Sequence, residues 1–246
     1  DDTSTDSMFT DRDKEIGYTE SESTIITLSN SGTTVNGDGA VAEDSTVTIS
    51  EEGTYILSGS LSDGQIVVDA ADDAKIQLVL NGVDITNDTS AAIYVKNADK
   101  VFITTANGAE NTVSVTGEFV AIDDNNIDGA IFSKSDLTLN GSGVLTINCD
   151  YGHGVVSKDD LAITSGTYVV TAAKHALAGK NSVRIADGSF TLTCGTDAIH
   201  SQNDDDTSLG FVYIAGGSFE ISAGDDGVHA GTTATILGGT MNISES

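Results

Sequence analysis

The segments HGVVSKDDLAITSGTYVVT (153–171) and HALAGKNSVRIADGSFTLT (175–193) decide the fold, because they match position by position at an offset of 22 residues. Within each segment, short runs of residues alternate between apolar and polar side chains. An alternation with a period of two is typical of strands and not of helices. A unit this short cannot bury its own apolar face, so it must stack against neighbouring copies of itself.

The same pattern continues beyond the two quoted segments, with an insertion at 202–208. Three short strands and three turns fit a unit of about 22 residues, which predicts an all-β, right-handed, single-stranded parallel β-helix. Equivalent side chains then form columns with a spacing of about 4.8 Å. Residues 23–246 are predicted to form this solenoid domain, and residues 1–22, which lack the pattern, a polar leader and N-terminal cap.

Composition restricts the function. The chain has 10 Lys and Arg against 38 Asp and Glu, a formal net charge of −28. Such a charge repels nucleic acid and anionic membranes, and no apolar run approaches the ~18 residues of a membrane span. An acidic chain of this kind suits the calcium-rich exterior of a cell, either secreted or attached to a bacterial surface. Cys149 and Cys194 fall two repeats apart in one column, too far for a disulfide, and are predicted to be buried free thiols.

One turn of the repeat carries a column of acidic and imidazole side chains. Asp197 and Asp226 occupy it in the later repeats, and histidines replace aspartate in the middle ones. Acidic insertions at 123–128 and 203–206 leave the fold beside the same turn. Calcium prefers six to eight oxygen ligands, which such a cluster can supply; the alternative is a solvated acidic surface. The predicted Ca²⁺ ligands are Asp197, Asp225, Asp226, Asn203, Asp204, Asp205, Asp206, Asp123, Asp124 and Asp128.

A basic column follows the acidic one by five residues. Its lysines either grip the carboxylates of an acidic sugar chain or balance the charge of neighbouring acids. Tyr94, Tyr151 and Tyr213 are the tyrosines expected to face solvent, where aromatic rings can stack on sugars. The paired histidines are interpreted as stacking groups and not as zinc ligands, since both cysteines point inward. The predicted carbohydrate-binding residues are Lys134, Lys158, Lys180, Arg184, Tyr151, Tyr213, His153 and His175.

Several segments together resemble one bacterial family, the carbohydrate-binding, polysaccharide-lyase-like parallel β-helix proteins of the cell surface and the secreted fraction. They are ILSGSLSDGQIVVDA (56–70), LVLNGVDIT (78–86), IYVKNADKVFIT (93–104), AIFSKSDLTLNGSG (130–143) and DDGVHA (225–230). The resemblance implies bound Ca²⁺ and binding of plant cell-wall polysaccharide, of the acidic pectin or polygalacturonate type, with cellulose as a second polymer. The family is also similar to family-9 pectate lyases, which use an Asp cluster for calcium and a Lys base.

The chain departs from that family pattern in its middle repeats, where His153 and His175 replace the Asp of Asp-Gly-Ile. We therefore expect a monomeric, non-catalytic, calcium-binding protein that recognises plant cell-wall polysaccharide. The alternative is a calcium-dependent pectate lyase with Lys180 or Lys158 as the base. A third class is a structural adhesin or an ice-binding solenoid. Ice binding requires regular outward threonine columns, and the outward column here, Ala162, Arg184, Tyr213 and Thr235, is mixed.

Overall fold

The computed structural model describes residues 5–245 of the chain. Within that range, α1 (Thr5–Met8), α2 (Asp11–Lys14) and one 3₁₀ turn (Glu20–Glu22) precede a long succession of strands. None of the helices in the described range has the length and apolar character needed to cross a bilayer. Residues 1–4 of the predicted leader lie outside the described residues, as does residue 246.

The strands of the described range follow one another at short intervals. They are β1 (Thr24–Leu28), β2 (Thr34–Asn36), β3 (Ala40–Glu43), β4 (Thr46–Ile49), β5 (Gly53–Leu61), β6 (Gln65–Asp69), β7 (Lys75–Asn87), β8 (Ile93–Asn97), β9 (Lys100–Thr105), β10 (Glu110–Val115), β11 (Gly129–Ser133), β12 (Asp136–Gly141), β13 (Val144–Cys149), β14 (His153–Ser157), β15 (Asp160–Ile163), β16 (Thr167–Ala172), β17 (Leu177–Gly179), β18 (Ser182–Ile185), β19 (Ser189–Cys194), β20 (Ile199–Ser201), β21 (Phe211–Ile214), β22 (Ser218–Ala223), β23 (Val228–Ala230), β24 (Ala234–Ile236) and β25 (Thr240–Glu245).

Parallel pairing between successive repeats dominates both sheets. Leu161 pairs with Val183 and Tyr168 with Phe190, as the sequence offset predicts. The pairs β1–β2 and β3–β4, near the N-terminal end, are antiparallel instead. The repeat therefore sets the register over most of the fold but not at its beginning.

The prediction of a single-stranded right-handed parallel β-helix with three strands per repeat is wrong for this chain, although the all-β class is correct. The described strands form two sheets, one of 16 strands and one of nine. Strand β7 pairs with β9 through its first half and with β10 through its second, so two rows of strands merge into one sheet. Gly59 and Gly82, with φ of 92° and 85°, allow β5 and β7 to bend without ending.

The apolar core lies between the strand rows and is built from inward columns. Tyr168, Phe190 and Phe219 stack with ring centroids 5.4 and 4.6 Å apart. Cys149 and Cys194 are buried and free, with Ala172 paired between them, which confirms the prediction for the thiols. Burial raises the pKa of the Cys149 thiol to about 11, so it packs as a small apolar group.

An N-terminal strap, residues 7–17, crosses the outer face of the 16-stranded sheet from β21 to β7. Its Phe9 is buried and packs against Tyr213. The Asp13 side chain is 3% exposed and forms a 2.6 Å ion pair with Lys100. It also accepts a 2.7 Å hydrogen bond from the Thr138 hydroxyl. The strap thus satisfies polar groups that this sheet face would otherwise present to solvent.

Candidate functional site

A groove of about 270 Å³ lies on the outer face of the nine-stranded sheet, and we name it the histidine groove. Its floor is made by Val156 on β14 and Ala178 on β17, which pair in register. The main apolar core lies on the other side of these strands, so the floor residues belong to a separate outer cluster. One wall, the imidazole wall, consists of His153, His175 and His200. The other consists of Lys158 and Lys180. The remaining lining residues are Asp128, Ser157, Gly179 and Gln202.

The imidazole wall belongs to a continuous stack of four rings. The centroids of His153, His175, His200 and His229 are 4.7, 3.9 and 4.8 Å apart in turn, with interplanar angles of 19°, 12° and 12°. His153 and His175 belong to the turn column, the set of equivalent turn residues Asp128, His153, His175, Asp197 and Asp226. His200 instead pairs with Ala178 and so belongs to the floor column, which runs through Val156 and Ala178. The stack of rings therefore passes from the turn column to the floor column between His175 and His200. Parallel rings cannot aim their in-plane nitrogen lone pairs at one ion, which disfavours a transition-metal site between His175 and His200.

The turn column has a structural role that unites its histidines and aspartates. Nδ1 of His153 accepts a 2.9 Å hydrogen bond from the backbone N–H of His175. Nδ1 of His175 accepts a 3.1 Å hydrogen bond from the backbone N–H of Asp197. Oδ1 of Asp197 in turn accepts a 2.9 Å hydrogen bond from the backbone N–H of Asp226. Each side chain therefore satisfies the turn N–H of the next repeat, and His and Asp are alternative acceptors for the same bond.

Acceptance at Nδ1 places the ring proton of His153 and His175 on Nε2. Burial, with a contribution from Lys174 and Lys158, lowers the pKa of His153 to about 4. Burial and the neighbouring imidazoles lower the pKa of His175 to about 4 as well. At neutral pH both rings are uncharged, and each has one N–H left to donate.

Asp197 connects the imidazole wall to a group of carboxylates. Its Oδ2 lies 2.7 Å from Nδ1 of His200. Burial opposes ionisation of Asp197, but hydrogen bonds from the Asp226 amide and from His200 outweigh it and hold the pKa of this carboxyl below its usual value. Single oxygens of Asp197, Asp225 and Asp226 all lie within 4.8 Å of one another. Calcium–oxygen distances of about 2.3–2.6 Å place opposite ligands roughly 5 Å apart, so these three carboxylates fit one shared ion.

The acidic insertion at 203–206 does not join this group in the described part of the chain. Oδ1 of Asn203 accepts hydrogen bonds from the backbone N–H groups of Asp205 and Asp206. Asp205 forms a 2.7 Å ion pair with Lys180, and Asp206 accepts bonds from Ser208. Asp204 is held by Gln202 at 2.6 Å. Asn203, Asp204 and Asp206 therefore organise their own loop, whereas Asp205 reaches Lys180 of the groove.

The other acidic insertion is also not gathered into a cluster within residues 5–245. Asp123 accepts a 2.6 Å bond from the Tyr94 hydroxyl, and Asp124 is exposed. Asp128 lines the histidine groove, 3.7 Å from Nε2 of His153. Its Oδ1 is buried and has no hydrogen-bond partner in the described structure, and burial raises the pKa of this carboxyl.

The basic column of the sequence is present in the structure. Pairing of Ser133 with Ser157, and of Ser157 with Gly179, aligns the lysines that follow each of them. Lys158 lies over the Phe132 ring at 5.8 Å and lines the groove, as does Lys180. Lys134 is exposed but is not part of the groove lining. The ion pair with Asp205 raises the pKa of Lys180, which keeps it charged.

Arg184 and the three tyrosines expected to face solvent lie outside the groove. Tyr213, expected to face solvent, is only 1% exposed, because Phe9 of the strap covers it. Arg184 donates to the Met8 carbonyl at 3.3 Å beneath the same strap. Tyr94 is buried too, beneath the 123–125 segment, whereas Tyr151 is 49% exposed, as expected, but outside the groove lining.

Sequence reasoning missed the floor residues and the outer half of the imidazole stack. His200 and His229 each follow an aspartate of the turn column by three residues, in Asp-Ala-Ile-His and Asp-Gly-Val-His. That repeated spacing was a usable signal, since His200 and His229 contact Asp197 and Asp226 respectively. The small residue Ala178 had no such signal, because its importance depends on the neighbouring walls.

Comparison with known proteins gives a consistent picture. Residues 43–246 match the family of carbohydrate-binding domain-containing proteins. A relative from Acetivibrio thermocellus with the same description is 40% identical over 139 residues, which is 56% of this chain and 49% of the relative, so the match spans about half the length of that protein. A solved structure, the polysaccharide lyase-like protein from C. thermocellum as a gadolinium derivative, superposes with a TM-score of 0.81 at 33% identity, over 91% of this chain and 95% of that one.

Proposed function

Because this chain belongs to the carbohydrate-binding domain-containing family, we propose that the histidine groove is its carbohydrate site and that the ligand is an acidic plant cell-wall polysaccharide of the polygalacturonate type. The observation that carries this proposal is the arrangement of two donor walls around an apolar floor. Neutral imidazole N–H groups lie on one side, and the ammonium groups of Lys158 and Lys180 on the other.

The chemistry of the groove suits a uronic acid. A pyranose ring has an apolar C–H face, for which Val156 and Ala178 offer a floor. Its hydroxyl groups can accept from His153 and His175, and its carboxylate can pair with Lys158. The chain carries a net charge of −28, so an anionic polymer is repelled by most of the surface and is attracted only where lysines cluster.

Calcium is the second part of the proposal. Asp197, Asp225 and Asp226 would hold one Ca²⁺ beside His200, at the end of the imidazole wall. The ion would supply positive charge that offsets repulsion between the protein carboxylates and those of the polymer. Millimolar calcium is an extracellular condition, so we place the protein outside the cell, either secreted or on the bacterial surface.

We favour binding without catalysis over the lyase alternative. A lyase base must lose its proton before it can abstract one from the substrate, so its pKa should be lowered. The ion pair with Asp205 shifts the pKa of Lys180 upward instead. Lys158 lies over the Phe132 ring at 5.8 Å, an arrangement suited to holding an ammonium group in place.

Equilibrium binding to soluble polygalacturonate tests both parts, measured by calorimetry first with calcium and then with a chelator. We expect saturable binding with calcium, weaker binding without it, and no ultraviolet absorbance from unsaturated product.

Asp226→Asn should reduce the calcium dependence, with Asp150→Asn, an exposed carboxylate in another repeat, as the control. Absence of binding in both conditions would exclude the acidic polymer, and release of unsaturated sugar would favour the lyase.

A further inference from the structure

The length of the histidine groove limits what it can hold. Its open floor consists of Val156 and Ala178, on the adjacent strands β14 and β17. Neighbouring strands are about 4.8 Å apart, so two of them provide a floor of about 10 Å along the direction in which the repeats stack. A polymer that passed through the site would need this floor to continue in both directions.

One end of the groove is closed by large residues and a loop. The floor column continues to Phe132 and then to Tyr94. Ile127 packs against this pair and is buried in the same cluster. The Tyr94 hydroxyl is tied to Asp123 at 2.6 Å and to Asn125 at 2.7 Å. The chain itself therefore occupies the path beyond Phe132.

The other end is closed by the imidazole stack. His200 occupies the floor column next to Ala178, with its ring 3.9 Å from that of His175. Its 2.7 Å contact with Asp197 holds it there. Beyond it, Gln202 bonds to Asp204 at 2.6 Å and lies 3.3 Å from Nε2 of His229. The wall thus turns across the groove.

An unused acceptor lies at the first of these ends. Asp128 directly precedes β11, the strand that carries Phe132, and lines the groove. Its buried Oδ1 has no partner within residues 5–245. A buried acceptor without a partner is costly. The Asp128 side chain is 24% exposed, so rotation of its carboxylate toward a ligand hydroxyl that donates to it removes that cost. The terminal residue of a sugar chain has a free hydroxyl that an internal residue has used in its glycosidic bond.

From the closed ends and the free Asp128 oxygen we propose that the site recognises the terminal one or two residues of an acidic oligosaccharide and not an internal segment of the polymer. This inference rests on the proposed function, because it concerns the same groove. The terminal sugar lies on Val156 and Ala178, donates a hydroxyl to Asp128, and directs its carboxylate to Lys158. The rest of the chain leaves the groove toward solvent.

The test is a calorimetric series of galacturonic acid, its dimer, its trimer and its hexamer, all with calcium. We expect the association constant per molecule to rise up to the dimer and then to stay within about twofold.

Two polygalacturonate fractions of different mean length, compared at equal mass, should bind in proportion to their number of chain ends. An association constant that keeps increasing to the hexamer, or binding in proportion to mass alone, would overturn the inference and leave the proposed function intact. If no sugar binds, the proposed function fails and the inference fails with it.

A variant pair provides a second measurement. Asp128→Ala should weaken dimer binding about tenfold, with the midpoint of thermal unfolding as the check on folding. Asp124→Ala, an exposed carboxylate in the same loop, should bind as the unchanged protein does. Equal affinities for the two variants, with both folded, would show that Asp128 does not contact the terminal sugar.

Discussion

Two faces of the molecule combine lysine with carboxylates, and they differ in what satisfies those charges. On the face crossed by the N-terminal strap, Asp13 and Lys100 pair at 2.6 Å with side chains 3% and 16% exposed. In the histidine groove, Lys158 is exposed and the Asp128 Oδ1 has no partner in the described structure. The first face has internal partners for its charges, whereas the second pairs Lys180 with Asp205 but leaves Lys158 and the Asp128 oxygen to a ligand.

The contrast separates a structural polar network from a binding surface. Beneath the strap, Thr138, Asn140 and Thr164 all bond to Asp13, through its carboxylate or its carbonyl, so the chain acts as its own ligand. Such a network is costly to break, because each lost bond leaves a buried group unpaired. In the groove, loss of Lys158 should change affinity more than stability, whereas His175 also accepts a turn amide and contributes to both.

Asp13→Ala should produce the largest loss of stability. It removes the acceptor of Lys100, Thr138 and the Thr10 amide, and breaking a buried ion pair of this kind costs about 3 kcal/mol. Urea unfolding at neutral pH measures the change. Asp11→Ala, exposed on the same strap, should stay within about 0.5 kcal/mol. A loss for Asp13→Ala no larger than for Asp11→Ala would mean that the polar network around Asp13 contributes nothing to stability.

His175→Leu should cost about 2 kcal/mol, because the Asp197 amide loses its acceptor at Nδ1. His175→Asn should cost much less, since an amide oxygen can accept the same bond that Asp197 accepts one repeat later. Urea unfolding of the two variants separates a specific acceptor from simple packing. Equal losses for Leu and Asn would refute the role assigned to the turn column.

Acid should destabilise the protein through the inner histidines. Histidine titrates near 6.5 in an unfolded chain, whereas the pKa of His153 and of His175 is lowered to about 4 in the fold. Between these values the unfolded chain binds more protons, so this stabilisation is complete above about pH 6.5 and is lost as the pH falls toward 4. From about pH 7 to about pH 4.5, His175→Asn should lose about 1 to 2 kcal/mol less than the unchanged protein. Parallel stability curves for the two proteins would contradict the neutral state of the ring.

Lys158→Met should have the smallest effect on free energy and leave stability unchanged. Loss of one charge-assisted contact to a uronate should weaken binding about tenfold, or ~1.4 kcal/mol, in calorimetry with the galacturonic acid dimer. Lys174→Met removes a second exposed lysine that does not line the groove, and should bind normally. Equal weakening by both variants would indicate a general effect of net charge instead of a contact in the groove.

Much of the site was predictable because it repeats. The 22-residue offset aligns Lys158 with Lys180 and His153 with His175, and the structure places all four residues in one groove. The features that were not predictable break the repeat. The insertion at 202–208 interrupts the repeat, and only the structure shows that Asp205 pairs with Lys180 at 2.7 Å while Asn203 accepts hydrogen bonds from amides of its own loop.

The all-β class, the register of the repeats, the buried thiols and the alignment of lysines and histidines can all be read from the amino-acid sequence. Those properties follow from local alternation and from a constant spacing, which need no knowledge of distant segments. The merging of two strand rows through β7, and the burial of Tyr213 by Phe9, about 200 residues earlier, are visible only in the folded chain. The reason is that bends at glycine and contacts between distant segments depend on where the whole chain goes, which local patterns do not encode.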